Sequence, residues 1–235
     1  MKRIYISGIK RATLLSAVAV CFSLSSCLDH DHYYDNVEVA GIALINAAPA
    51  SPSLDLIGDQ QRELLPTSFS YDTAIAYLSA YPGYRVFGFA KKNDYNVLVS
   101  QQIFLQPGKA YSIFLADSLG AAKMFSFSDS LKLPDSTKAN IRFVNMSPDS
   151  KGLDFVAGTN TMFNNVAFGK ASEFATVAPT DNLSFQVKEN GGATVVATLS
   201  NITIKKGEIY TIWARGFENS TVDSLKIGLK TMRNR

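Results

Sequence analysis

The chain has 235 residues, 23 Lys+Arg against 20 Asp+Glu, and a formal net charge of +3. Only two cysteines and two histidines are present, which excludes a disulfide-stapled framework and a Cys- or His-rich metal scaffold. The positive balance sits in the first 26 residues, whose removal leaves 19 basic against 20 acidic residues. Nothing therefore points to nucleic acid as a partner.

Lys2, Arg3, Lys10 and Arg11 precede an apolar run from Ala12 to Leu24 that closes on Ser25-Ser26-Cys27. Charge, a short apolar stretch and small residues in that order read as a signal peptide over 1–26, too short for a membrane span. Leu24-Ser25-Ser26-Cys27 has the order of a lipoprotein cleavage box, so Cys27 is expected to become the acylated first residue. Stable attachment needs more than one chain, and a lipidated cysteine of this kind carries several. Residues 27–38, containing Asp29-His30-Asp31-His32, then read as an acidic tether. Imidazole and carboxylate can ligate metals, but a run beside the membrane reads as a tether, and no metal site or cofactor is expected.

The remainder repeats itself. Ile42, Asn46, Pro49, Ser51, Leu54 and Asp55 recur as Ile141, Asn145, Pro148, Ser150, Leu153 and Asp154, each 99 positions on. Gly108, Tyr111 and Ile113 recur at the same spacing as Gly207, Tyr210 and Ile212. Between them Tyr71, Tyr77 and Pro82 match Phe168, Phe174 and Pro179 at a spacing of 97, a two-residue drift that implies a slightly different loop there. The expected organisation is two units, 39–127 and 139–235, joined by a polar linker over 128–138.

Within each unit the pattern is β. Tyr84–Phe89, Ala110–Leu115, Leu183–Lys188, Glu208–Trp213 and Leu225–Lys230 are short runs rich in β-branched and aromatic residues or alternate apolar with polar. Asn190-Gly191-Gly192 reads as a hairpin turn. About seven strands per unit predict an all-β chain of two tandem Ig-like or transthyretin-like β-sandwiches. In both starts, Pro49 and Pro148 end the first strand, Asn46 and Asn145 bond the turning backbone, and Asp55 and Asp154 tie down the return.

Ile141-Arg142-Phe143-Val144-Asn145-Met146-Ser147-Pro148-Asp149 resembles the family named domain of unknown function 4397. The first copy departs from it, with Ala43 where Arg142 stands. The resemblance implies tandem extracytoplasmic β-domains of bacterial surface lipoproteins, with no activity or catalytic residue to carry over.

Past His32 the sequence has neither histidine nor cysteine, which removes Ser-His-Asp, Cys-His and His/Cys zinc chemistry from the body. A carboxylate pair is the remaining enzymatic option. Asp55 and Asp154 occupy repeated positions, so they read as copies of one turn device, and the chain as no enzyme. Tyr71 and Tyr77 are expected in the core because phenylalanine replaces them in the second copy, and Trp213 because it lies in a strong strand pattern. Tyr81 and Tyr84 are the candidates for stacking on a glycan or anchoring a protein ligand. Five Asp-Ser/Thr triplets mark Thr73, Ser118, Ser130, Ser136 and Ser224 as candidate O-glycosylation acceptors. The function expected is a cell-surface binding or adhesion module attached to the outer membrane and facing outward. The alternatives are an accessory subunit of an uptake or pilus complex and a carboxylate glycosidase.

Overall fold

The computed structural model describes residues 38–94, 96–132 and 137–235. Cys27, the rest of the signal and tether up to Val37, and Ser136 lie outside the described residues. Glu38–Arg235 forms one compact unit. It is built of strands, with two single 3₁₀ turns at Leu119–Ala121 and Asp223–Leu225. No helix among the described residues is long and apolar enough to cross a membrane.

The first copy contributes β1 (Ala40–Asn46), β2 (Leu54–Gly58), β3 (Gln61–Glu63), β4 (Ala74–Ala80), β5 (Gly83–Lys91), β6 (Val97–Leu105), β7 (Ala110–Ala116) and β8 (Lys123–Asp129). The second contributes β9 (Ala139–Asn145), β10 (Leu153–Ala157), β11 (Asn160–Val166), β12 (Lys170–Ala171) and β13 (Ala175–Val177). It continues with β14 (Thr180–Glu189), β15 (Val195–Ile204), β16 (Ile209–Arg215) and β17 (Gly228–Arg233). Each copy folds into two facing sheets. The orders are β4-β1-β7-β8 over β3-β2-β5-β6, and β12-β9-β16-β17 over β11-β10-β14-β15, with β13 also paired to β9. In both copies the opening strand runs parallel to the penultimate one, β1 to β7 and β9 to β16.

Inward side chains of each sheet pair make one core. Leu56, Phe87, Phe89 and Ile113 belong to the first, and Phe143, Phe155, Phe185 and Ile212 to the second. Each such side chain taken fully from water contributes about 1.5–3 kcal/mol. Tyr111 and Tyr210 fasten the loops before β7 and β16, their hydroxyls accepting the amides of Gln106 at 3.0 Å and Lys205 at 3.1 Å.

Three expectations change in detail. Among the described residues the two copies have eight and nine strands where about seven per unit are expected. The strand expected over Leu225–Lys230 begins only at Gly228, because the Lys226 amide turns back to Val222 and Asp223. Strand β8 runs through Ser128 and Asp129, inside the span expected as linker, and Asp129 is buried.

A third core lies between the copies. The outward faces of β1 and β7 meet those of β9 and β16, burying Ile45 with Val144, Ala47 with Met146, and Phe114 with Trp213. Each of these pairs is separated by 99 positions, so both copies present the same strand positions to the seam. Trp213 is thus buried, but in the seam, its ring 6.3 Å from Phe114.

At the centre of this seam sits a buried polar network. Arg142, 2% exposed, places Nη2 2.6 Å from Asp129 Oδ1 and donates to Ser112 Oγ at 2.9 Å and Thr211 Oγ1 at 3.1 Å. Ser112 Oγ donates to Asp129 Oδ2 at 2.6 Å, and the Tyr77 hydroxyl donates to the same oxygen. Asn234 donates from Nδ2 to Tyr77 at 2.8 Å and accepts from Thr211 at 2.7 Å, and Arg142 lies 4.8 Å from the Phe174 ring. Burial, then the Asp129 charge and its hydrogen bond, push the Tyr77 hydroxyl well above the usual tyrosine range. Tyr71 and Tyr77, expected in the core, are only half-buried: the Tyr77 ring reaches the seam, where its hydroxyl finds partners, and the Tyr71 ring lies under Arg215 at 5.2 Å.

Candidate functional site

The repeated start signature is built from one local device. Strands β1 and β9 stop at Asn46 and Asn145, three residues before Pro49 and Pro148. Asn46 Oδ1 accepts the Ala48 amide at 3.1 Å and the Ser51 hydroxyl at 3.0 Å. Asn145 Oδ1 accepts the Ser147 amide at 3.0 Å, while its Nδ2 reaches Ser150 Oγ at 2.8 Å and the Val166 carbonyl at 2.9 Å. Asp55 accepts the Asn93 amide at 3.1 Å and pairs with Arg62. Asp154 accepts the amides of Asn165 at 2.7 Å and Gly191 at 3.0 Å. Each carboxylate thus ties its own strand to the turn of the next long hairpin in its sheet, β5–β6 or β14–β15.

Tyr81 and Tyr84 stand out from the surface, 68% and 70% exposed. Tyr84 opens β5, where the period-2 alternation turns Tyr84 and Val86 outward and Phe87 and Phe89 into the core. Across the ladder Tyr84 faces Phe104 and Val86 faces Gln102. The Tyr84 and Phe104 rings lie 4.8 Å apart at 50°. Phe104 and Val86, both exposed, share the face of Tyr84, and Tyr81, the other expected candidate, is not part of it; the alternation of β6 is the signal for Phe104.

The same face of the second copy is mostly polar. Ser184 and Gln186 on β14 oppose Ser200 and Thr198, with Ser184 Oγ and Ser200 Oγ 3.4 Å apart, and Lys188 opposes Val195, which is exposed at the far end of the face.

Tyr81 marks a different feature, the mouth of a cleft of about 400 Å³ between the two sheets of the first copy. Leu56, Leu78 and Phe87 line it, with Asp59, Glu63 and Arg85 at the rim. Arg85 clamps two turns together, donating to Asp59 Oδ2 at 3.0 Å and to the carbonyls of Tyr81 at 3.1 Å and Pro82 at 3.0 Å. The Val86 amide, more than the Arg85 charge, holds the Asp59 carboxyl below the usual range against slight desolvation.

Of the triplet acceptors, Ser118, Ser130 and Ser224 are exposed and Thr73 is half-buried. In all four the acid is already paired: Asp72 with Arg215 at 2.9 Å and Lys230 at 3.6 Å, Asp117 with Lys123 at 3.0 Å, Asp129 with Arg142 at 2.6 Å and Asp223 with Lys226 at 2.7 Å. Among the described residues no group of three or more His, Cys, Asp or Glu side chains is placed to hold a metal.

A scan against protein families matches the Domain of unknown function (DUF4397) over residues 40–156 and 139–228. The chain belongs to this family. The two DUF4397 matches open at β1 and β9, the equivalent strands of the two copies. No curated protein matches the chain. Among solved structures, a family 41 carbohydrate-binding module from streptococcal virulence factors, described for alpha-glucan recognition, is similar at 12% identity and TM-score 0.26. It aligns over 81% of this chain and 96% of its own. A candidate cell adhesion protein from Bacteroides eggerthii aligns over 83% and 95% at 9% identity and TM-score 0.23. Another from Bacteroides fragilis aligns over 84% and 98% at 10% identity and TM-score 0.22. Likeness at this level carries no statement about what the chain binds.

Proposed function

We propose that the chain is a non-catalytic lipoprotein, anchored through Cys27 to the outer membrane and facing outward, whose two-sandwich body is a binding or adhesion module. Its ligand face is the outer sheet of the first copy. One observation carries this reading: Tyr84, Phe104 and Val86 stand in solvent where the second copy, built to the same plan, has polar side chains. Exposed aromatic rings beside hydrogen-bonding neighbours such as Gln102 suit the C–H face and hydroxyl rim of a sugar. A glycan is therefore the ligand class proposed. The roles of Asp55 and Asp154 in tying turns within their own copies support the non-catalytic part.

The test is glycan-array binding by the body alone and by Tyr84→Ala. A signal lost in the variant, with unchanged unfolding, supports the reading; a signal indifferent to Tyr84, or none across the array, sinks it. Metabolic labelling with a fatty-acid probe, lost in Cys27→Ala, checks the anchor.

A further inference from the structure

The repeat supplies an internal control for the cleft beside Tyr81. Leu56 and Phe155 are equivalent, 99 positions apart; Leu56 pairs with Glu63, and Phe155 with Phe163. In the second copy the Phe163 ring stacks on Phe155, centroids 5.9 Å apart, and packs against the core. Phe87 and Phe185 are likewise equivalent through their partners Gly58 and Ala157, which sets Arg85 against Leu183 two residues earlier. Leu183 also packs on the core. At both positions the first copy replaces an apolar plug with a charge and leaves the cleft of about 400 Å³ open, a size usual for a ligand site. The displaced chain loops out over Leu64–Ser68, leaving Leu64 98% exposed.

The edge next to this cleft differs in the same sense. Strand β4 is a seven-residue edge, Ala-Ile-Ala-Tyr-Leu-Ser-Ala, without charge or proline, and its ladder partners are all on β1. Its counterpart in the second copy is broken into the short β12 and β13, with Glu173 between them. Short, interrupted and charged edges deter strand addition, and long neutral ones invite it.

We infer that the first copy captures an extended segment of a partner protein, which pairs with β4 and drops a bulky apolar side chain into the cleft, where Phe163 sits in the second copy. Main-chain pairing supplies affinity and the side pocket selects the residue. Arg85 is spent on Asp59 and two carbonyls, while Glu63 adds a further carboxylate to the rim, so a basic residue flanks the inserted side chain. This surface is separate from the Tyr84 face and stands or falls without it.

The probe is a labelled, blocked nonapeptide of alternating Thr and Ser with a central Phe flanked by Lys, titrated against the full chain by fluorescence anisotropy. It is expected to bind and to slow amide exchange over Ile75–Ala80. Replacing Phe by Ala, or N-methylating the pairing amides, weakens binding by about tenfold or more. Glu63→Phe, which supplies the chain's own plug, does the same while folding at least as stably. Glu63→Gln keeps binding but loses the preference for Lys over Glu flanks. Equal binding to Glu63→Phe, protection elsewhere than β4, or no binding by any peptide overturns the proposal. Self-association abolished by Glu63→Phe also overturns it, by assigning the groove to a second copy. A glycan signal at Tyr84 with no peptide binding would overturn this inference alone.

Discussion

The two rims of the seam begin as copies of one arrangement and end as different chemistry. In each, the loop before the fourth-strand position of one copy meets the last strands of the other. On one rim Tyr71 and Asp72 meet Arg215 and Lys230, with Arg215 over the Tyr71 ring at 5.2 Å. On the other, Phe168 and Gly169 meet Phe125, centroids 5.3 Å apart at 78°, and Lys123 lies 5.3 Å from the Phe168 ring. At the centre the same divergence appears: Arg142 stands against Ala43, Tyr77 against Phe174. Asp129 stands against Asn234, since Asp129 pairs with Ala110 and Asn234 bonds Ile209. A seam made of equal halves would place two guanidiniums, or none, around its axis. Giving the base to one copy and the acid to the other lets a single buried ion pair close it and fixes which copy faces which.

Breaking that central pair should have the largest effect. Arg142→Ala leaves Asp129 buried without its cation and is expected to cost about 3–5 kcal/mol, read as a lower urea midpoint. Asp129→Asn, which makes the two copies alike at this position, should cost a comparable amount, because it strands the guanidinium instead. A loss under about 1 kcal/mol in both would mean that water satisfies the seam.

Where the copies have kept the same device, the losses should match. Asn46→Ala and Asn145→Ala each remove a buried side chain that holds a turn, and each is expected to cost about 1–3 kcal/mol. Tenfold different unfolding constants would show that the two starts no longer do the same job.

The repeated signature was the legible part of this molecule, because spacing survives in sequence and Asn and Asp act on backbone within their own unit. Alternation likewise marked Tyr84–Phe89 as a strand, but with Val86 and Phe87 adjacent it does not say which face is buried. The seam was hidden. All seven residues of β7 are buried, and such a continuous apolar run signals a strand covered on both faces, yet it is equally what a sandwich core strand looks like in isolation. Asp129 stands at the head of the polar stretch that runs to Lys138 and so resembles linker, since its partner Arg142 sits on the other copy. The drift in repeat spacing announced an altered loop near Leu64–Ser68. What it could not announce was that Glu63 and Arg85 replace a plug.

The rims sharpen the comparison through exchange. Gly169 has φ +73, and a Cβ there would collide with the Phe125 ring, so Gly169→Asp, the residue its counterpart carries, is expected to cost about 1–3 kcal/mol. The reverse change, Asp72→Gly, removes only a partly exposed ion cluster and should cost about 1 kcal/mol or less, falling further with salt. Equal costs in the two directions would contradict the reading of one rim as packed and the other as electrostatic.

The smallest effect should appear at Asp149, whose counterpart is Ala50. Its carboxylate accepts the amides of Glu218 at 2.7 Å and Asn219 at 2.9 Å, fastening a loop that the first copy lacks. Burial works to raise its pKa, but those amides outweigh it and hold the group below the ordinary value. A depressed carboxyl stabilises the fold above the unfolded value of about 3.9, and that contribution fades as pH falls through the lower folded value. The stability gap between the native chain and Asp149→Asn should therefore be constant near neutrality and close only in strong acid. A gap that instead widened toward low pH would mean the loop is held by the neighbouring Glu218, whose pKa burial raises, and not by Asp149.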